Sequence, residues 1–183
     1  DRGEGYRFVD QIVGGVVPKR FIPAVEAGCG EFFKQGPLGF PVVDVEVTLY
    51  DGQFHAVDSS DQAFRTCASQ AMREALPKCK PVLLEPMLAV RIAVPSDYTA
   101  GVQRAISSRR GTLLDYAQRP GWQGWDLLTA HMPQAEIHDL IQDLRSTTLG
   151  VGTYTCTFDH LAEVRDEKVA DAVVSARRAH LDA

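Results

Sequence analysis

Three residue types used in hydrolytic catalysis, a histidine, an aspartate and a serine, stand close together at His55, Asp58 and Ser59. A Ser-His-Asp triad must surround its substrate, and three neighbours on one tight loop do not readily reach around one. A loop imidazole has another use, because it can stack on a base, donate to a phosphate or a 2′-hydroxyl, and change its charge near neutral pH. A lone loop histidine is more often a solvated residue, so the residue types alone leave an RNA role for His55 open, and we predict no catalytic residue in the chain.

A strand and a helix are predicted to hold this loop, residues 53–58, in solvent. Before the loop, apolar residues occupy every second position, as in a half-buried strand: Val43, Val45, Val47 and Leu49. After the loop, apolar residues follow helical spacing: Phe64, Cys67, Ala68, Ala71, Met72 and Ala75. Ser59 is predicted to cap this helix, with Gln62 bonding back to it in a capping box.

Charge and composition limit the possible partners. The chain has 183 residues, 45% hydrophobic and 23% charged, which is ordinary for a folded globular protein. A formal net charge of −5 disfavours broad electrostatic adhesion to nucleic acid, and we expect no DNA partner. Two local basic pairs, Lys19-Arg20 and Arg109-Arg110, are candidate RNA contacts. For Arg109 and Arg110 the alternative is a charge that complements a helix dipole.

Several kinds of site and location are not indicated. No apolar run approaches the roughly 20 residues of a membrane span, and no signal peptide opens the chain. The phosphate-binding glycine motifs are absent, so no nucleotide or other cofactor site is predicted. His131 and His138 are seven residues apart without cysteine partners, and we predict no metal site. Asp44 and Glu46 are interpreted as a solvated strand edge.

The cysteines and the chain start suggest the origin of the sequence. Four cysteines show no C-x-x-C spacing, and Cys29, Cys67 and Cys156 are predicted to be reduced thiols acting as small core residues, which favours a cytoplasmic protein. Because the sequence begins at Asp1 without a methionine, we expect a fragment or a processed chain.

The order of elements predicts an α+β protein of two domains. Residues 1–81 read as strand, helix, strand and helix. After a proline-rich boundary, residues 82–160 read as β-α-β-β-α-β, the ferredoxin-like arrangement. A final helix in residues 161–183 is predicted to pack back on the domains through a stripe of Val169, Val173 and Ala176.

With these segments identified, the chain resembles the C-terminal region, domains IV and V, of bacterial elongation factor G or a close paralogue. The segments that carry the resemblance extend over most of the chain in the family's order: GGVVPK with FIPAV, GFPVVDVEVTLYDGQFHAVDSSDQAF, PVLLEPMLAVRIAVP, SSRRG, DLRS and GTYTCTFDH. The resemblance implies a split β-α-β domain with a left-handed crossover, then a ferredoxin-like domain and a helix packing back towards the former.

The resemblance also implies a role on the ribosome. The loop with His55 would be a tip loop that contacts tRNA and mRNA at the small-subunit decoding region during translocation. The loop of residues 14–20 would be its neighbour, and a third, glycine-rich tip loop would precede Asp1. The predicted RNA-binding residues are Gly52, Gln53, His55, Lys19, Arg20, Arg109 and Arg110. The chain itself would be non-catalytic and monomeric, with GTP and Mg²⁺ bound by an N-terminal GTPase domain of the parent.

Departures from the family pattern leave an alternative open. They occur at residues 138–142, at residues 149–152 and in the segment that contains Trp122 and Trp125. All lie in the domain that the resemblance places near the large subunit and its sarcin-ricin loop. The alternative is a divergent paralogue whose domains form a regulatory module that binds a ligand or a protein, with Trp122 and Trp125 as candidate contacts.

Overall fold

The computed structural model describes residues 2–181, which form two compact units. One unit comprises the residues up to Leu83 together with those from Val164 onward, and the other comprises Leu84–Glu163. The strands are β1 (Tyr6–Asp10), β2 (Val45–Leu49), β3 (Leu84–Pro95), β4 (Thr112–Gln118), β5 (Trp125–Pro133) and β6 (Thr153–Glu163). The helices are α1 (Ile22–Phe33), α2 (Asp61–Ala75), α3 (Thr99–Ser108), α4 (Leu140–Thr147) and α5 (Glu167–Leu181).

The first unit is a parallel strand pair covered by two helices. β1 and β2 pair in register from Tyr6 with Val45 to Asp10 with Leu49. The alternation predicted for β2 is present at Val45, Val47 and Leu49, which pack against the core, but the predicted Val43 lies before the strand and is exposed. The buried centre of that core comes from α1 and α2: Val25, Cys29, Phe33 and Ala68. The unit is thus a β-α-β arrangement followed by a helix, and the handedness of its crossover stays a prediction.

Helix α2 begins one residue later than predicted, so the predicted capping box is wrong. Ser60 is the N-cap, and its hydroxyl accepts a hydrogen bond from the Ala63 amide at 3.1 Å. The third helical position is therefore Ala63, and the Gln62 side chain donates to Thr66 instead of bonding back. An N-cap of this kind is worth about 1 kcal/mol.

The buried face of α2 also differs from the predicted stripe. Ala68 is buried and Phe64 and Met72 pack against the core, but Cys67, Ala71 and Ala75 are exposed. Only the central row of the apolar face, Phe64, Ala68 and Met72, is therefore covered. Among the four free cysteines Cys29 alone is buried, and the prediction that Cys67 and Cys156 are core residues is wrong.

The second unit has the predicted ferredoxin-like topology. Its four strands lie in the order β4-β5-β3-β6, and every neighbouring pair is antiparallel. α3 and α4 pack on one face of the sheet and close a fully apolar core: Leu88, Val90, Ile92, Val94, Val102, Ile106, Leu128, Ala130, Met132, Leu140 and Leu144. The α+β fold with two separate sheets is thereby confirmed.

Helix α5 belongs to the first unit, but its predicted apolar stripe is wrong. Val173 and Ala176 are exposed. The helix contacts the segment after α1 through Arg177, whose Nε donates to the Gly39 carbonyl at 3.0 Å and whose guanidinium lies over the Phe40 ring. Arg177 therefore makes the contact that was expected from the valine stripe, through its apolar stem and a charge-assisted hydrogen bond. No helix within residues 2–181 is long and apolar enough to cross a bilayer.

Candidate nucleic-acid interface

Two loops of the first unit emerge at the same edge of its sheet. Since β1 and β2 are parallel, the loop after Asp10 and the loop after Leu49 both start at the carboxyl ends of their strands. The Gln11 amide continues the pairing by donating to the Leu49 carbonyl at 2.8 Å. We call residues 11–20 and 50–60 together the tip.

Apolar contacts hold the two tip loops against each other. Val17 is buried, and a Cβ added at Gly52 would stand only 2.5 Å from its Cγ2. At this position a glycine is required by the close approach of the neighbouring loop. Phe21, which is buried just after the tip's first loop, stacks on Phe64 of α2 at 4.8 Å between centroids and contacts Phe54 at 5.7 Å.

The loop around His55 is closed by its own hydrogen bonds. The Ser59 amide donates to the His55 carbonyl at 3.1 Å, and the His55 amide donates to the Ser59 hydroxyl oxygen at 2.9 Å. The His55 imidazole lies 3.1 Å from the Asp58 carboxylate and is about three-quarters exposed. Ser59 bonds the backbone and not the imidazole, so the three side chains do not form a hydrolytic triad. An ordered loop that presents an accessible ring is suited to stacking and hydrogen bonding.

Exposed apolar side chains also occur in both loops of the tip. Val13 is 81% exposed and Val57 is 84% exposed, and Tyr50 and Phe54 are also accessible. Exposed apolar side chains that cluster on a folded surface mark contact sites. These residues were not predicted as contacts, although valines within glycine- and aspartate-rich loops are a signal in the sequence.

The predicted basic contacts fall into two groups. Lys19 and Arg20 are exposed in a short 3-10 turn, Lys19–Phe21, at the border of the tip. The Arg20 guanidinium lies 4.5 Å from the centre of the Phe21 ring. Gln53 is exposed beside His55. The first group is therefore exposed and belongs to the tip, as His55 does.

The second group, Arg109 and Arg110, lies in the second unit and is bound to carboxylates. Arg110 forms a two-pronged ion pair with Glu85 at 2.8 and 3.0 Å and a further hydrogen bond to Glu136 at 2.9 Å. Arg109 is paired with Asp143 and donates to the Glu136 carbonyl at 2.8 Å. Hydrogen bonding to Glu85, followed by that to Glu136, raises the pKa of the Arg110 guanidinium. Arg110 thus joins the end of α3 to β3 and to the turn at Glu136, and Arg109 joins it to that turn and to α4. The contact of both arginines with RNA stays a prediction.

One acidic residue interpreted as a solvated edge has a defined structural role. Asp44 has a left-handed backbone, with φ of 58°, and its carboxylate accepts hydrogen bonds from the amides of Gly3 and Gly5 at 2.9 and 3.1 Å. These two hydrogen bonds lower the pKa of the Asp44 carboxyl. The contact fastens the segment before β1 to the start of β2, so the interpretation of Asp44 as a merely solvated residue is wrong.

Comparisons with known proteins agree with this architecture. The family model described as "Elongation factor G, domain IV" matches residues 1–80, and the one described as "Elongation factor G C-terminus" matches residues 82–172. An "Elongation factor G-like protein" from Synechocystis is 52% identical over 167 residues, which are 91% of this chain and 25% of that protein.

A solved structure gives the same result at the level of the fold. A crystal structure of a protein from Thermus thermophilus matches with a TM-score of 0.85 and 35% sequence identity, over 97% of this chain and 26% of that one. The chain spans about a quarter of the length of each of these two relatives. From two consecutive family matches that together extend over nearly all of its residues, the chain belongs to the elongation factor G family, with domain IV followed by the family's C-terminal domain.

Proposed function

We propose that this chain is the non-catalytic C-terminal arm of a ribosome-associated translational GTPase, and that its tip contacts tRNA and mRNA at the small-subunit decoding region during translocation. The observation that carries the proposal is the exposed His55 imidazole on a loop closed by Ser59. The family membership supports a translational parent. That parent would act in the cytoplasm as a monomer and bind GTP and Mg²⁺ in a domain outside this chain.

The chemistry of the tip supports contact with single-stranded or bulged RNA. The imidazole of His55 offers a flat ring and ring nitrogens, and the valines and aromatic residues around it offer apolar area for bases. Lys19 and Arg20 add positive charge next to this area, which favours phosphates. Because the chain has a net charge of −5, its overall charge would not attract RNA. The rest of the factor would therefore bring the small tip surface into contact with the RNA.

The test replaces His55 in the full-length parent with Ala or Lys and measures the rate of tRNA–mRNA translocation at saturating factor. Stacking of a base on a side chain is worth about 1–3 kcal/mol, so His55→Ala should slow translocation at least about fivefold. GTP hydrolysis on the ribosome should change little, because the tip holds none of that chemistry. His180→Ala, an exposed histidine of α5, is the matched control. Unchanged translocation in both His55 variants would remove His55 from the mechanism.

A second function is favoured by one observation in the second unit. In the β4–β5 hairpin the Arg119 guanidinium lies 4.0 Å from the Trp122 ring centre, and Trp122 meets Trp125 edge to face at 5.1 Å. Trp122 is about half exposed, so this hairpin presents an aromatic and cationic surface. Such a surface would suit a regulatory module that binds a protein or ligand.

Pelleting of the full-length parent with ribosomes separates the two functions. The translational arm requires that the parent sediments with ribosomes and that His55→Ala impairs translocation. A regulatory module predicts no sedimentation with ribosomes, or sedimentation that Trp122→Ala abolishes while translocation by the His55 variants stays unchanged.

A further inference from the structure

Three metal-ligating side chains meet on one face of the second unit's sheet. They are His131 of β5 and the consecutive Asp159 and His160 of β6. The face is the one opposite α3 and α4, because the residues of β3 that alternate with the buried Leu88 and Val90 point away from those helices. His138 is the nearest histidine to His131 in sequence, whereas its neighbour in the structure, His160, lies 29 positions further along the chain.

The strand pairing explains why these three meet. β3 lies between β5 and β6, and its Ala89 pairs with His131 while its Met87 pairs with His160. The small side chain of Ala89 leaves room for the two imidazole rings to approach across β3, with their centroids 5.3 Å apart.

A bulge in β6 adds the carboxylate. The register passes directly from Met87–His160 to Leu88–Phe158, so Asp159 has no counterpart on β3. A bulge of this kind changes the strict alternation of side chains and re-aims one of them, often next to functional sites. Asp159 and His160 therefore reach the same place although they are neighbours in sequence.

The distances suit a shared cation. His160 Nδ1 lies 2.5 Å from Asp159 Oδ2, His131 Nε2 lies 3.4 Å from the same oxygen, and the three ligand atoms all lie within 4.8 Å of one another. Ligands at about 2.0–2.2 Å from a zinc ion stand roughly 3–3.5 Å apart, so small side-chain rotations would bring all three to one ion.

We propose that His131, Asp159 and His160 form a binding site for a divalent first-row transition-metal ion such as Zn²⁺ or Ni²⁺. Imidazole nitrogens select this class over Mg²⁺ and Ca²⁺, which prefer sets of oxygen ligands. Two histidines and one carboxylate occupy three coordination positions, and water completes the sphere. The site lies in the second unit and is independent of the tip, so it does not depend on the proposed function.

The experiment must separate this site from the exposed thiols, since thiolates also bind these metals. The background is therefore the 183-residue chain, without an affinity tag, carrying C67S, C79S and C156S at its three exposed cysteines. Isothermal titration with NiCl₂ is compared for this background and for His131→Gln, His160→Gln and Asp159→Asn. His138→Gln, at an exposed histidine of the same unit, is the matched control, and the circular dichroism of every variant confirms that it folds.

We expect one equivalent of Ni²⁺ to bind, with affinity lowered at least about tenfold by either histidine substitution and unchanged by His138→Gln. Because Ni²⁺ is paramagnetic, the amide resonances of residues 131, 159 and 160 should broaden first in the NMR spectrum. Equal affinity in the His131 and His160 variants, broadening that starts elsewhere, or no saturable uptake would each overturn the proposal.

Discussion

The tip and the Arg109–Arg110 pair were both predicted to contact RNA, but the structure places them in opposite surroundings. In the tip, His55, Lys19 and Arg20 are exposed around a small apolar framework. In the second unit, the guanidinium groups of Arg109 and Arg110 are bound to carboxylates of neighbouring elements. Cationic residue types alone therefore do not identify a contact site. What matters is whether the fold has already supplied a partner for their hydrogen-bond donors.

The two regions also differ in what holds them together. The tip depends on apolar contacts such as Phe21 with Phe64, whereas the arginine pair depends on charge-assisted hydrogen bonds. Substitutions of the buried Phe21 and of the paired Arg110 should therefore lower stability, whereas substitutions of the exposed tip cations should not. The expected effects fall in size from Phe21 to Arg110 to Asp44.

The largest effect is expected from Phe21→Ala, which removes the aromatic ring that joins the tip to α2. Phe21 is 4% exposed, and truncation of a buried phenylalanine costs about 3–5 kcal/mol. The two tryptophans both lie in the second unit, so the loss should be followed by amide hydrogen exchange in α1 and α2. The matched control is Phe158→Ala, at an exposed phenylalanine of the second unit. Unchanged exchange in Phe21→Ala would show that the aromatic stack does not hold the tip.

An intermediate effect is expected from Arg110→Ala, which leaves the half-buried Glu85 and Glu136 without their cation. Hydrogen bonds to charged groups are worth about 1.5–3 kcal/mol, so the second unit should lose about 1–3 kcal/mol of stability. Denaturation in urea followed by the fluorescence of Trp122 and Trp125 reports this unit selectively. Arg110→Lys should recover only part of the loss, since an ammonium lacks the planar fork of a guanidinium.

The exposed cations of the tip supply the comparison with Arg110. Because Trp122 and Trp125 report only the second unit, the stability of these variants is followed by amide hydrogen exchange in α1 and α2. Lys19→Ala and Arg20→Ala should change the stability of the chain by no more than about 0.5 kcal/mol. If Arg110→Ala left stability intact, or if Lys19→Ala lowered it as much, the contrast between the two regions would be lost.

The smallest effect is expected at Asp44, where a carboxylate is bound by backbone amides and not by a cation. Its pKa is lower in the folded chain than the usual 3.8, so the carboxylate stabilises the fold above that pH. The contribution is lost as the pH falls through the folded pKa. Asp44→Asn keeps a side-chain oxygen and tolerates the left-handed backbone, and it should lower the melting temperature by a few degrees at neutral pH.

Melting curves from neutral to acidic pH check this prediction. The difference between the wild type and Asp44→Asn should shrink as the pH falls towards 3, because the carboxyl of the wild type then becomes protonated. Asp171→Asn, at an exposed aspartate of α5, is the control. A difference that stayed constant to the lowest pH would show that the charge of Asp44 does not contribute.

The order of elements was predictable because its signals are local. The alternation at Val45, Val47 and Leu49 identified a strand, and the β-α-β-β-α-β order identified the second unit. Such patterns depend on the period of each element and on few contacts beyond it.

The predictions that were wrong concern positions where more than one residue could make the same contact. Ser59 and Ser60 are adjacent, and serine suits an N-cap at either position. Ser60 caps α2, because the hydroxyl of Ser59 closes the His55 loop instead. On α5, the apolar periodicity suggested Val173, but the surface that the helix meets offers the Gly39 carbonyl to Arg177. Neither the hydrogen bond between Ser59 and His55 nor that between Arg177 and Gly39 can be predicted from the sequence of the helix alone.

By itself the sequence determined the two-unit α+β organisation, the exposed loop around His55 and the family, because these follow from patterns within short segments. Only the tertiary structure decided which cations keep accessible donors, which valines stay exposed and which histidine stands beside Asp159. Those outcomes depend on side chains that come together from distant positions. A strand order and a bulge place His131 next to His160, and no spacing along the chain encodes that distance.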